Sequence, residues 1–527
     1  MYPDRFFFNL WNRIPCAAKW AFFSCMATGI SAHFYMFANK LPNYDDINNL
    51  TSYGAGVSSG RFFLDFLGRC VLYFFGNFSM PWLYGVLSVF FLSIASAVIV
   101  CILNIRGKLN CFLIGTVLPV FPAMTATFFF MYTTPYYAFG ICLTAISVLV
   151  VNESSNIFGF LASTVMLALS LGIYQAYIPL AAGIMILLFI KKCLSLTPRY
   201  FLADMVRYFL LLAVSLGLYL VLNKVALYLY GQEMDTYKGL DQMGRVSLQQ
   251  LIGRIKITYY EFFQYFLKDR DGINPYPTMR FLSTGIYLLS IAGICTGIVK
   301  ISRTKSTKSL LPCLGLTAAI IVFPLAANGI YLLAEASTVY SIMRYPLVLI
   351  YILAIMVLDW MQYSGFAGKG VQVKVRANIV ACWLGTAAIF CTVCSNIYYA
   401  NTQYLAMDMQ YKQAYSYFTS MITAIKLTDG YDAELPLVII GDRIEDPSFY
   451  RNEDFEGYGM SGRSATLLNE YSRDVFWKKY NGFNHRIIED KSAWESLPMV
   501  QAMPCYPQNG SIQVIDGAIV LKLQETD

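Results

Sequence analysis

WLYGVLSVFFLSIASAVIVCIL, residues 82–103, runs for 22 residues without one charged side chain. As a helix rising 1.5 Å per residue it would be about 33 Å long. The hydrocarbon core of a bilayer is about 30 Å thick. The stretch therefore reads as a transmembrane helix, and the basic residues Arg106 and Lys108 follow it closely.

Ten further runs share this character, at roughly 20–38, 110–130, 136–151, 157–174, 176–190, 206–223, 281–299, 309–330, 345–362 and 378–398. The predicted fold class is a polytopic α-helical membrane protein with about eleven transmembrane helices. The middle runs are short and closely spaced. A re-entrant segment in place of two of them would leave nine crossings and the same sidedness. No small-residue cleavage site follows the first apolar run, so it is expected to remain as a span.

Composition agrees. Hydrophobic residues make up 57%, charged residues 13%, and mean hydropathy is +0.51. Soluble proteins carry roughly 25% charged residues. The net charge of +7 is scattered at the ends of apolar runs, with no basic block suited to nucleic acid. Only His33 and His485 are histidines, and no phosphate-cradling glycine loop with lysine is present. Nucleophilic triads, zinc hydrolysis and ATP hydrolysis are thereby disfavoured. Of the thirteen cysteines most lie inside apolar runs, and Cys391/Cys394 read as helix packing. Cys70 and Cys505 fall in predicted outer regions and form one candidate disulfide pair.

Lys and Arg set the orientation. Arg5, Arg13, Lys19, Arg106, Lys108, Lys191, Lys192, Arg199, Arg207, Lys300, Arg303, Lys305, Lys308, Lys369, Lys374 and Arg376 fall on one side, which reads as cytoplasm. The N-terminus is then inside and the C-terminus outside. The outer face carries the long connections, 39–81 and 224–280, and the tail 400–527. Residues 1–399 read as the membrane domain and 400–527 as a small extracytoplasmic α/β domain. In the tail, PLVII (436–440) reads as a buried strand, and SIQVIDGAIVLKL as a hairpin turned at Asp516–Gly517. In the second loop, SLQQLIGRIKITYYEFFQYFLKD has helical apolar spacing, with Arg254, Lys256 and Glu261 turned away. It reads as an interfacial helix, or as one packed on the tail.

What chemistry remains is carboxylate and arginine chemistry at a membrane surface. Asp45 and Asp46 lie just outside the first span, where adjacent acids are costly unless solvated, paired or useful. They serve either as reactive carboxylates or as a cap on a short helix. Arg61, in GVSSGRFFLDFLG, suits bidentate phosphate binding; its ordinary alternative is a snorkelling anchor or a salt bridge to Asp65 one turn later. Tyr174 and Gln175 end an apolar run and either orient sugar hydroxyls or bond helix to helix. Arg344 stands against the charge bias at the outer mouth, as a functional residue or an interfacial anchor. Lys268, Arg270 and Arg280 are further basic residues of the second outer loop. Glu335 is a solvated loop carboxylate or a sugar ligand.

YDDINN (44–49), GRF (60–62), GIYQAY (172–177) and MRYP (343–346), in this order behind an N-terminal span, resemble the bacterial and phage O-antigen glucosyltransferases of serotype conversion. That is the glucosyl transferase type II family, and the resemblance covers roughly 15–400. It implies a GT-C-like enzyme of the bacterial inner membrane with catalytic acids in the first outer loop, here Asp45 or Asp46. It implies undecaprenyl-phosphate glucose as donor, with a glucosyl-lipid synthase and flippase supplying it; the donor phosphate would then fall to Arg61 and Arg344, with Lys268, Arg270 and Arg280 as reserve phosphate ligands. The implied acceptor is a lipid-linked O-antigen unit of lipopolysaccharide. No cofactor is expected, since the paired aspartates have no clear partner ligands; a divalent metal stays open. The competing classes are an O-antigen polymerase or ligase, whose outer loop is usually single, large and Arg-rich, and a lipid-sugar flippase or transporter, which needs more polar residues deep in its spans.

Overall fold

The computed structural model describes residues 2–54, 56–76, 78–195, 201–235, 248–268, 272–303, 310–363, 372–441 and 470–525. Every one of the eleven apolar runs is helical. Among the described residues nine helices are long and apolar enough to cross a membrane: Cys16–Ala38, Pro81–Ile102, Thr134–Glu153, Gln175–Leu194, Ala203–Tyr230, Pro277–Ser302, Leu310–Ala327, Ser341–Tyr363 and Asn378–Lys426. The chain is a multi-pass membrane protein. The other two runs differ in kind. Ile157–Ile173 is an apolar helix of 17 residues, and the run at 110–130 is a pair, Lys108–Val120 and Pro122–Phe128, bent by 46°.

Proline chemistry explains the bend. Phe121 precedes Pro122 and is pushed out of the helical region, to ψ 134°. The carbonyl of Leu118 would normally accept from residue 122, but proline has no N–H. Tyr345 Oη donates to it instead, at 3.1 Å. The Pro119 carbonyl loses its partner across the bend and accepts from His33 Nε2 at 2.7 Å. His33 is stacked on Phe128, 3.9 Å between centroids. Irregular backbone in an apolar setting survives only where side chains re-satisfy it, and that is the work of this histidine.

Small residues set the packing of the first spans. A Cβ on Gly85 would collide with Phe37, and one on Gly115 with Ser24 and the Ala21 carbonyl. Ser96 Oγ donates to the Ala21 carbonyl at 3.1 Å, and Ser24 Oγ to that of Phe112 at 3.0 Å. Close helix approach of this kind holds membrane bundles together.

Asp359, fully buried in Leu349–Tyr363, caps Lys108–Val120 from another helix. Its Oδ1 accepts from the backbone N–H of Arg106 (3.1 Å) and Gly107 (2.8 Å) and from Asn110 Nδ2 (3.0 Å); Oδ2 lies 3.5 Å from Lys191 Nζ. Asp359→Ala strands these donors and is expected to cost ~3 kcal/mol or more, with Asp359→Asn milder. Denaturation of the detergent-solubilised protein measures it.

The chain divides into two compact units: Met1–Ala38 with Tyr53–Asn401, and Asn39–Ser52 with Thr402–Asp527. Segment 39–52, read above with the first outer loop, thus clusters with the C-terminal residues. The second unit has a three-stranded sheet in the order β1-β3-β2, with β1 Leu437–Ile440, β2 Ile512–Ile515 and β3 Ala518–Lys522. β1 pairs parallel with β3, and β2 antiparallel with it. Leu437, Ile439, Ile519 and Leu521 face Phe418, Met421, Phe476 and Trp477, while Val438, Ile440 and Val520 face Val500 and Met503. Burial on both faces explains why 437–440 is apolar throughout. The β2–β3 turn has Asp516 and Gly517 at φ 49° and 74°, as an Asp-Gly hairpin turn requires.

Two expectations are corrected. Cys70 and Cys505 are not joined by a disulfide. Helix Leu248–Leu267 packs on Leu310–Ala327 and Pro277–Ser302 within the first unit. Glu261, read as turned away, is buried in it, and Arg254 Nη1 donates to the Leu332 carbonyl at 3.0 Å. Apolar residues lie on more than one face of this helix, with Ile252, Tyr260 and Phe263 exposed, so spacing alone does not select the packed face.

Candidate active site

In the first unit the site grows from a tight loop. Gly56 starts a 3-10 turn, Val57–Ser59, and Gly60 leaves it at φ 76°. Arg61 then begins helix Phe62–Phe75. A Cβ on Gly60 would collide with Gln175 Nε2 and Tyr219 Oη, so both backbone sign and space demand glycine. Gln175 Nε2 donates to the Ser59 carbonyl and Tyr219 Oη, each at 3.0 Å, and Tyr219 Oη donates to the Gly60 carbonyl at 3.1 Å. The Gln175 amide therefore fixes the loop that presents Arg61. Gly60→Ala is expected to lower stability by about 1–2 kcal/mol from backbone strain and to lower activity with it, read by melting and by transfer assay on one preparation.

Arg61 is not paired with Asp65. That carboxylate is buried and committed elsewhere: Oδ1 accepts from Tyr53 Oη (2.9 Å) and Oδ2 from Arg69 Nε (2.7 Å). Burial first, and then Asp65, push the Tyr53 hydroxyl up to about 12, which keeps it a donor. Arg61 sits among aromatic rings, its guanidinium carbon 5.3 Å from the ring of Tyr174 and 5.9 Å from that of Tyr137. Tyr132 and Tyr219 are also within electrostatic reach. Tyr174 stacks on Tyr137 at 4.7 Å. Among the described residues neither Arg61 Nε nor Tyr174 Oη, both buried, has a hydrogen-bond partner. A desolvated guanidinium without a counter-charge is costly, and the arrangement suits an incoming anion.

Arg344, in the 3-10 segment Ser341–Val348, is only 2% exposed. Its Nη2 donates weakly to the Glu261 carbonyl at 3.4 Å, and its guanidinium carbon lies 5.9 Å from the Tyr331 ring. The turns Gln175–Tyr177 and Ser341–Val348 meet within this unit.

In the second unit, Asp45 and Asp46 lie on the short helix Tyr44–Asn48. Their environments differ. Asp46 is buried and closes a capping box, its Oδ2 accepting from the Asn43 N–H at 3.0 Å. Asp45 is half-buried and its Oδ1 accepts from Tyr471 Oη at 2.9 Å. Capping, one of the two readings of this pair, thus describes Asp46.

A family model described as glucosyl transferase GtrII matches residues 34–358. The chain belongs to this glucosyl transferase family. It is accordingly a glycosyltransferase set in a multi-pass membrane protein. No curated protein and no solved structure matches it.

The remaining candidates of this glucosyl transferase separate cleanly. Arg280 spends Nη1 on the carbonyls of Asn274 (3.0 Å) and Pro275 (2.9 Å), and holds a turn. Lys268 and Glu335 are exposed at segment ends. Arg270 lies outside the described residues. Among those residues no group of three or more His, Cys, Asp or Glu is placed to hold a metal ion. Sequence reasoning named Tyr174 but missed Tyr132, Tyr137 and Tyr219 around Arg61, and the Asp65–Arg69 pair. The latter was signalled by its i,i+4 spacing; the former come from separate helices and had no local signal.

Proposed function

We propose that the chain transfers glucose from undecaprenyl-phosphate glucose to a lipid-linked O-antigen unit on the periplasmic face of the bacterial inner membrane. The N-terminus is then cytoplasmic and the C-terminus periplasmic, in line with the Lys and Arg distribution. Family membership supports the sugar and the reaction class. The observation that carries the donor assignment is Arg61: a guanidinium ringed by tyrosines, with no carboxylate partner among the described residues.

The chemistry needs few groups. The acceptor oxygen attacks the anomeric carbon as the bond to the phosphate oxygen breaks. The acceptor proton passes to a carboxylate, and undecaprenyl phosphate departs with the electron pair. A phosphate leaving group needs no general acid, so one base suffices, unlike the two carboxylates of a glycosidase. We assign the base to Asp45, because Asp46 is tied into its capping box. Arg61 stabilises charge on the departing phosphate. Single displacement inverts the anomeric centre.

Purified protein in liposomes, given undecaprenyl-phosphate glucose and lipid-linked O-antigen, is expected to yield glucosylated lipid with inverted linkage. A retained linkage contradicts single displacement. No product with either substrate side varied contradicts the assignment of donor and acceptor.

A further inference from the structure

We propose that Tyr471 is a positioning residue for Asp45, so that the C-terminal unit takes part in the transfer. The inference rests on the assignment of Asp45 as base. Tyr471 lies beyond the segment 34–358 that matches the family.

The contact is built from several sides. Tyr471 opens helix Glu470–Lys479, which packs on Tyr44–Asn48. Its Oη donates to Asp45 Oδ1 at 2.9 Å, its carbonyl accepts from Asn48 Nδ2 at 3.0 Å, and its ring meets Tyr44 edge-on at 6.2 Å. One turn of helix is thus gripped at both ends by one residue. Beneath it Ile47 is fully buried with Phe418, Met421, Phe476 and Trp477. Arg473, 2% exposed, bonds Asp474 at 2.8 Å and lies over Trp477 at 5.7 Å, which fixes the helix that carries Tyr471. Tyr471 itself is exposed, as a contact must be if an acceptor hydroxyl is to reach the same carboxylate.

A carboxylate with one oxygen held has its plane held, and a base works only within hydrogen-bond reach and at the right angle. The hydroxyl donates to the ionised form and so favours it; removing the donor raises the pH at which the carboxylate ionises. Among the described residues, the ionisable groups on the two packed helices include Asp46 and Tyr44 on the same helix, and Arg473, Asp474 and Tyr480 on or after the facing helix. Tyr411 and the Asp408–Lys412 pair lie on Gln372–Lys426. Burial first, and Asp46 second, raise the Tyr480 hydroxyl. Tyr471→Phe keeps all of these and keeps the ring against Tyr44.

The test measures the pH profile of kcat, both KM values and melting for the full chain, Tyr471→Phe and Asp45→Asn in liposomes with the donor and acceptor above. Tyr471→Phe is expected to lower kcat roughly 5- to 50-fold and move the acid limb up by about 0.5–1 pH unit, with both KM values within about twofold. A fall in kcat with an unmoved acid limb, or no fall at all, overturns the positioning role while an inactive Asp45→Asn leaves the base assignment standing. Full activity in Asp45→Asn overturns the base assignment, and the role of Tyr471 with it.

Discussion

Arg61→Gln is expected to lower glucosyl transfer about 10²- to 10³-fold, the range for removing one preorganised donor from a developing anion. Glutamine keeps an amide N–H donor on a shorter stem but removes the charge and the guanidinium fork. The loss should fall on kcat more than on donor KM, because the phosphate gains charge as the glycosidic bond breaks. Stability should rise or stay level, since among the described residues Arg61 has no carboxylate partner to strand; Asp65 keeps Tyr53 and Arg69. Arg61→Lys retains the charge without the planar fork and is expected to recover part of the rate. Steady-state kinetics with denaturation of the same preparations separates these effects.

Asp45→Asn is expected to cost about 10²- to 10⁴-fold in kcat, as loss of a general base does. The amide still accepts from Tyr471, so the helix Tyr44–Asn48 should persist. Asp46→Asn makes the comparison informative. Asparagine at this position can still accept from the Asn43 N–H, and only part of the capping box is weakened. Activity should stay within a few-fold of the parent. Kinetics on the two variants side by side reverses the assignment if Asp46→Asn is the inactive one.

Most of the membrane architecture was legible because apolar length alone defines a span, and each run at 82–103, 281–299 or 378–398 is a helix in the structure. The Asp516–Gly517 hairpin was legible because that dipeptide has a conformational reason to be there. The bend at Phe121 was hidden. Pro119 and Pro122 announce strain, but the groups that relieve it, His33 and Tyr345, come from distant helices. The affiliation of 39–52 was hidden for the same reason, since its partner helix Glu470–Lys479 lies more than 400 residues downstream. At the site, Asp65 offered Arg61 and Arg69 equal spacing on either side, and only the fold decides between them. Arg280 shows the reverse, a basic residue in a promising place whose Nη1 is used on backbone carbonyls.

The Arg61 guanidinium among its tyrosines is tested most directly by binding. Purified full-length protein and Arg61→Gln are titrated with a short-chain polyprenyl phosphate and with the matching uncharged polyprenol. The phosphate should bind the variant at least about tenfold more weakly, a difference of about 1.4 kcal/mol, while the alcohol binds both alike. Equal phosphate affinity in the two proteins would contradict the account.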